Sequence, residues 1–275
     1  MGMTELGPVG AFLPVSFTSV EPDVLRDAAT RLERAGYHAA WTNEVPGKDA
    51  LVQLAVLLGA TSRIAFGTGI ANIWAREPET AHAAADFLAR AHPGRLVLGL
   101  GVGYPEQAAA AGREFGRPLA TVRRYVDRMG EGPYPRILGA NGPKMQALAG
   151  EIADGAFPAM LPPEGTAQVR RTLGPGKLLV AGLSVVPDRA AAAEQVAGAM
   201  NQPAFARAMA ELGYAEGSDR LVDALVAHGD PAAVAARVRD HLAAGADHVA
   251  LLPPAGADFA ASLEHLEALA PAVLA

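Results

Sequence analysis

The chain has 275 residues, is 51% hydrophobic but only 5% aromatic, contains no cysteine and carries a formal charge of −6. These values exclude a disulfide framework, a thiolate nucleophile and a cysteine–zinc site, and they fit a reducing cytoplasm. They argue against nucleic acid, for want of a basic stripe, and against a membrane: no apolar run nears the roughly eighteen residues of a span, and no charged-then-apolar signal segment opens the chain.

The predicted elements alternate. Val9–Leu13, ended by Pro14, reads as a first strand, and a helix follows from Pro22 with Leu25, Ala28, Ala29 and Leu32 on one face and Gly36 as its C′ residue. His38–Trp41 is the second strand and Asp49–Ala60 the second helix. Ile64–Gly69 and Arg95–Gly99 are the third and fourth strands; between them Pro78 opens a helix with Ala81, Ala84, Ala85 and Leu88 at three- and four-residue spacing. Pro105 to Ala111 and Pro118–Met129 are helical, the latter burying Val122, Tyr125, Val126 and Met129. Arg136–Leu138, Asp154–Phe157 and Lys177–Val186 are the next three strands, separated by helices at Pro143–Gly150 and Glu164–Leu173. Asp188–His228 is helical with no intervening strand. Asp230 then caps a helix with Pro231 at its first position and Gly245 at its end, before the eighth strand, His248–Leu252, and a closing helix, Phe259–Leu269. Helical crossovers make the strands parallel. Eight of them predict an α/β fold, a closed (β/α)8 TIM barrel, as one domain over residues 1–275 with a helical insertion before the last βα unit.

The third and fourth strands end in alternating glycines: Gly67 and Gly69, then Gly99, Gly101 and Gly103. Glycine at the carboxyl end of a parallel strand lets backbone N–H groups approach a flat or anionic ligand with no Cβ in the way, which places the ligand site here. The bland alternative is glycines that only tighten a turn. A Rossmann site is disfavoured, because GLGVG lacks the third glycine of G-x-G-x-x-G and falls on the fourth βα unit rather than the first. GANGPK (Gly139–Lys144) turns a strand into a helix; its free N–H groups and the helix dipole suit a phosphate, the alternative being an ordinary helix start with a surface lysine. TNEVPGKD (Thr42–Asp49) carries Asn43 and Glu44 past the second strand, where a barrel carboxylate points into the mouth, unless it is a solvated loop residue. Tyr104 stands likewise as a proton donor or a packing aromatic. The seven histidines show no metal-ligand spacing and read mostly as surface or strand-edge residues, with His82 the hardest to dismiss. Neither a G-x-S-x-G elbow nor a Walker A loop occurs.

Taken together, GTGIANIWAREP, HPGRLVLGLGVGYPEQ, GRPLATVRRYVDRM and LGANGPKMQALAGEIADGAFP resemble, in order and spacing, the luciferase-like monooxygenase superfamily, most of all its deazaflavin (coenzyme F-420)-dependent oxidoreductases. GDPAAVAARVRDHLAAGADHVALL resembles the family's closing barrel unit. The resemblance implies a TIM barrel, often a homodimer, that binds F-420 at the carboxyl face of its strands and moves a hydride to or from a small organic substrate. FMN is the alternative coenzyme, in a monooxygenase using dioxygen; a non-catalytic flavin-binding protein is a third reading. Carried over by residue, Gly69 and Ile70 match a bulge behind the tricyclic ring, with a cis peptide between them, and Asn72 matches a polar contact to the ring. Val102 and Gly103 match backbone along the coenzyme side chain, Asn141, Gly142 and Lys144 match the phosphate loop, and Asn43 is counted with these contacts. Two departures matter. Sugar-phosphate dehydrogenases of this family carry Asp-His where this chain has Asn43 and Glu44, and a glutamate where it has Tyr104, which disfavours sugar-phosphate oxidation. Glu44 and Tyr104 are therefore the candidate proton donors; Glu44 is preferred, because it stands where relatives keep a histidine and a partly buried carboxyl can have a raised pKa.

Overall fold

Proline sets the punctuation of this chain. Among the described residues eight helices open on a proline in their first turn, where its missing N–H costs no hydrogen bond and its fixed φ suits the helix. Others are capped by Asp49, Asp188, Ser218 or Asp258, whose side chains accept first-turn N–H groups, and Asp230 does so beside Pro231. The computed structural model describes residues 5–15, 20–45, 47–215 and 217–275. Its strands are β1 (Val9–Phe12), β2 (Ala39–Thr42), β3 (Ala65–Thr68), β4 (Ala71–Asn72), β5 (Leu96–Gly101), β6 (Arg136–Gly139), β7 (Gly155–Phe157), β8 (Leu178–Val186), β9 (Val226–His228) and β10 (His248–Leu252). The helices between them are α1 (Pro22–Arg34), α2 (Ala50–Gly59), α3 (Pro78–Ala91), α4 (Pro105–Ala110), α5 (Pro118–Met129), α6 (Pro143–Ile152), α7 (Pro163–Leu173), α8 (Arg189–Met200), α9 (Pro203–Glu211), α10 (Asp219–Leu225), α11 (Pro231–Ala243) and α12 (Phe259–Val273).

Among the described residues every pairing is parallel, and the order β1-β2-β3-β5-β6-β7-β8-β10 returns to β1, closing the eight-stranded barrel expected from the sequence. The ring of helices closes at the same seam. Tyr37 Oη, just past α1, donates to Leu266 O of α12 (2.7 Å), and Arg31 pairs with Glu267. Two strands depart from the sequence expectation. β4 is the continuation of β3 after a bulge, and β9 adds to the upper half of β8, pairing Val226–His228 with Ser184–Val186. Three residues at the end of a helical stretch are too few for a period-two pattern to register. Helices α8, α9 and α10 form the expected insertion, with a satellite core around Val196, Met209, Leu221 and Leu225.

The barrel lumen is filled by the alternate, inward-facing strand residues, among them Phe12, Ala39, Trp41, Ala65, Val97, Ile137, Phe157, Val180 and Ala250. Gly10 and Gly67 belong to the same inward set. A Cβ on Gly10 would lie 2.5 Å from His248 Nε2, and one on Gly67 would enter the Trp41 ring. His248 and His241 correct the surface assignment given to most histidines, since both are buried. On the barrel floor the Trp41 indole N–H donates to His248 Nε2 (3.0 Å), and His248 Nδ1 lies 2.7 Å from Gly7 O. An indole only donates and a carbonyl only accepts, so the imidazole is neutral with its proton on Nδ1.

Burial pushes His248 from 6.5 down to about 4, and desolvation does the same to His241, which shares a hydrogen bond with Thr166. Each imidazole is harder to protonate folded than unfolded, so the unfolded chain binds more protons between pH 4 and 6.5. Stability is therefore full above pH 6.5 and lost as pH falls toward 4, by about 3 kcal/mol per histidine. His248→Gln should flatten urea-unfolding stability against pH in that window by about one proton's worth of slope. An unchanged slope would show that this imidazole does not titrate on unfolding.

Candidate functional site

The alternation that fills the lumen also shapes the mouth at the carboxyl ends of the strands. Along β3, β4 and β5, Gly67 pairs with Val97 and Ala71 with Leu100, so four steps on one strand meet three on its partner. That is a β-bulge at Thr68–Ile70. Inside it the Thr68 hydroxyl stands in for the ladder, donating to Gly99 O (2.6 Å) and accepting Gly99 N–H (2.8 Å). The peptide between Gly69 and Ile70 is cis, as the family resemblance implied.

The glycines here make room for neighbouring groups, a use the sequence reading did not include. A Cβ on Gly69 would stand 2.5 Å from a Phe157 ring carbon and 2.7 Å from one of Phe12. Gly101 and Gly139 form a bed for the Ile70 side chain, whose Cγ1 would be 2.6 Å from a Cβ on Gly101. Gly99 admits no Cβ because the Thr68 carbonyl oxygen occupies that space. Ile70 stays half-buried, an apolar surface at the rim.

Two asparagines are oriented by the same device. Asn72 Oδ1 accepts Trp74 N–H (3.0 Å), and Asn141 Oδ1 accepts Ala159 N–H (2.9 Å). Each carboxamide is thereby turned so that its NH2 group is left without an acceptor among the described residues. Trp74 Nε1–H donates to Val102 O (2.6 Å), fixing the half-buried Val102–Gly103 segment, where Gly103 has a φ of 57°. Gly142 is the N-cap of α6 and Pro143 its first residue; Asn141, Gly142 and Lys144 are exposed there, beside N–H groups that have no intrahelical partner. Asn43 is half-buried and makes no hydrogen bond among the described residues.

The two proton-donor candidates part company. Tyr104 caps α4 at the rim, 70% exposed, its hydroxyl without a partner among the described residues; it is not a packing aromatic. Glu44 is buried, and its carboxylate accepts the N–H groups of Ala50 (3.0 Å) and Asn72 (2.7 Å) while pairing with Arg76. Its two oxygens already accept from four donors, which removes the geometric reason for preferring it. Sequence reasoning missed Arg76 and Thr68, although both lie inside the motif that marked the site; their roles depend on partners far apart in sequence. His82 bonds Tyr134 Oη (2.9 Å). Desolvation lowers Lys48, on the loop after β2, and it has no acidic partner among the described residues; Pro46 of that loop lies outside them. Burial pushes up the Tyr125 hydroxyl, which donates to Arg76 O (3.1 Å). Among the described residues no cluster of three acidic, histidine or cysteine side chains could hold a metal, and no helix is long and apolar enough to cross a membrane.

The bulge predicts a contrast between two glycines. Gly101→Ala meets only the Ile70 side chain and should cost about 1–3 kcal/mol, as overpacking does, whereas Gly99→Ala meets a backbone oxygen and should cost more. Urea denaturation of the two variants checks the order; equal losses would remove the distinction.

Residues 9–131 match the family model described as luciferase-like monooxygenase. A Mycobacterium tuberculosis protein named as a coenzyme F-420-dependent oxidoreductase is 32% identical over 171 residues, covering 48% of this chain and 49% of that protein. The 5,10-methylenetetrahydromethanopterin reductase of Methanolobus tindarius is 30% identical, covering 52% of each. The chain thus spans about half the length of the curated relatives it matches. In fold the likeness extends further. The F-420-dependent tetrahydromethanopterin reductase of Methanopyrus kandleri superposes with a TM-score of 0.74 over 97% of this chain and 98% of that one, at 19% identity. A monooxygenase from Streptomyces bottropensis does so at 0.72 over 98% and 99%, at 17% identity. Residues 9–131 are thus similar to a luciferase-like monooxygenase domain, and the closed parallel barrel as a whole has the fold of these solved structures.

Proposed function

We propose that this protein is an oxidoreductase that transfers a hydride between a deazaflavin coenzyme, F-420, and a small organic substrate. The observation that supports it is what gathers at one end of the barrel. An apolar bulge (Ile70), two carboxamides with free NH2 groups (Asn72, Asn141) and an uncapped helix start with an exposed lysine (Lys144) all stand at strand carboxyl ends. A flat ring with a carbonyl-bearing edge and an anionic tail complements those surfaces. The deazaflavin is favoured by the two similar proteins, whose names specify F-420 or a methylenetetrahydromethanopterin reductase. FMN remains the alternative, since the family model is that of a monooxygenase and one structure of similar fold is described with FMN.

In this reading Ile70 backs one face of the ring, Asn72 donates to its polar edge, and the backbone at Val102 and Gly103 lines the side chain, with Asn43 nearby. Lys144, Asn141 and Gly142 receive the phosphate. When bound, a deazaflavin supplies a ring carbon that takes or gives hydride, where FMN would supply dioxygen chemistry. The lumen below is packed with side chains, so in this reading substrate approaches from the mouth. A proton for the atom that gains hydride comes from Tyr104, the candidate whose hydroxyl has no partner among the described residues. The homodimer implied by the family resemblance belongs to the same proposal and is read by light scattering.

Titrating the protein with F-420 and with FMN, followed by fluorescence quenching, tests the coenzyme; binding of neither would sink the reading, and binding of FMN alone would move it to the monooxygenase. Lys144→Ala should weaken the bound coenzyme by about 1–3 kcal/mol without abolishing binding, because backbone donors remain. Unchanged affinity at low salt would make it a surface lysine only. Tyr104→Phe should leave coenzyme affinity intact and lower turnover about a hundredfold; full activity would pass the proton to water.

A further inference from the structure

The bulge that presents Ile70 is gripped by one residue of the neighbouring strand's exit loop. The Glu44 N–H donates to Ile70 O (3.2 Å), and Glu44 Oε2 accepts Asn72 N–H (2.7 Å), so a single residue holds the chain on both sides of Ala71. The other oxygen accepts the N–H of Ala50, the first residue of α2 (3.0 Å). Arg76, ahead of α3, closes the arrangement: its Nη1 donates to Oε2 (3.2 Å), its Nη2 to Oε1, and it also pairs with Asp49 (3.0 Å), the cap of α2. The Glu44 and Arg76 side chains are only 5% and 10% exposed.

A charge pair this deep gives up most of its hydration and adds little to net stability, while loss of one partner strands the other. What it provides is location. Glu44 ties the bulge to α2 and, through Arg76, to the start of α3. Arg76 O is in turn held by Tyr125 from α5. Asn72 carries the effect to the mouth. Its N–H is held by Glu44 and its Oδ1 by Trp74 N–H, so its free NH2 has a fixed direction; it stands beside Gly103, where a Cβ would be 3.4 Å away.

We propose that Glu44, neutralised by Arg76, is a positioning residue that sets where Ile70 and Asn72 stand at the ring-binding bulge and so governs how tightly a flat tricyclic ring is held. The proposal rests on the flavin or deazaflavin reading above. In this role Glu44 acts through Asn72 and Ile70.

Glu44→Gln keeps the size of the side chain but places an NH2 where a donor already points, and Arg76→Lys keeps the charge but loses the fork. The measurements are unfolding by circular dichroism, hydrogen exchange at the Asn72 amide without coenzyme, dissociation constants for F-420 and for ring-only 5-deazariboflavin, and the absorption spectrum of the bound ring. Glu44→Gln should fold, speed Asn72 exchange about tenfold or more while distant strands keep their protection, and weaken both probes by about tenfold. The ratio of the two dissociation constants, which reports the phosphate end, should not move, and the bound-ring spectrum should shift. Arg76→Lys should show the same changes at smaller size, and decides alone if Glu44→Gln fails to fold. Wild-type exchange, affinity and spectrum in a folded variant would overturn the proposal. Should the unaltered protein bind no ring at all, the functional reading fails separately, and the positioning role of Glu44 falls with it; faster exchange at Asn72 would then report only a structural brace.

Discussion

A closed parallel barrel is stable only when its lumen is filled, and here a few large side chains fill it because their neighbours have none. Trp41 lies where Gly67 has no Cβ, Phe157 and Phe12 where Gly69 has none, and His248 against Gly10. Ile70 uses the same allowance at the rim, settling over Gly101 and Gly139. Removing a methylene's worth of space at such contacts forces off-rotamer side chains or backbone shifts, which close-packed interiors resist. The two ends of the barrel follow from this constraint. The floor is sealed by Trp41 and a neutral His248, and the bulge at the mouth exists because three strands give up their inward side chains beside it.

Polar groups are distributed by the same logic. At the floor the imidazole has both nitrogens satisfied and no charge. At the mouth the buried carboxylate of Glu44 is neutralised by Arg76, and the carbonyl oxygens of Asn72 and Asn141 are occupied by backbone N–H groups. On Asn72 and Asn141 it is the NH2 donors that are left without a partner among the described residues, although the chain as a whole is negative.

The matched family region ends at residue 131, so it contains the bulge and the Val102–Gly103 segment but not the helix start at Gly142. The fold likeness covers nearly the whole chain, at an identity too low to carry more than architecture. The phosphate role proposed for Asn141, Gly142 and Lys144 therefore draws only on their own geometry and on the motif's resemblance, which makes Lys144 an independent probe of the coenzyme proposal.

Local signals sufficed for the architecture. Proline at helix starts, aspartate caps, period-two and period-three-to-four apolar spacing and the βα alternation are short-range properties, and they determined eight strands, their parallel direction and the inserted helices. The glycines that border the bulge could be read as well, and they marked the candidate site. Their purpose could not. Whether a missing Cβ makes room for a ligand or for a neighbour's side chain depends on residues such as Ile70 and Gly139, or Gly10 and His248, that meet only after the barrel closes. Glu44 was misjudged for the same reason: a carboxylate at a strand end looks like a free acid until Arg76, thirty-two residues away, is brought against it. The protonation, burial and direction of a side chain are set by its nearest polar neighbours in space, and only the tertiary structure supplies those.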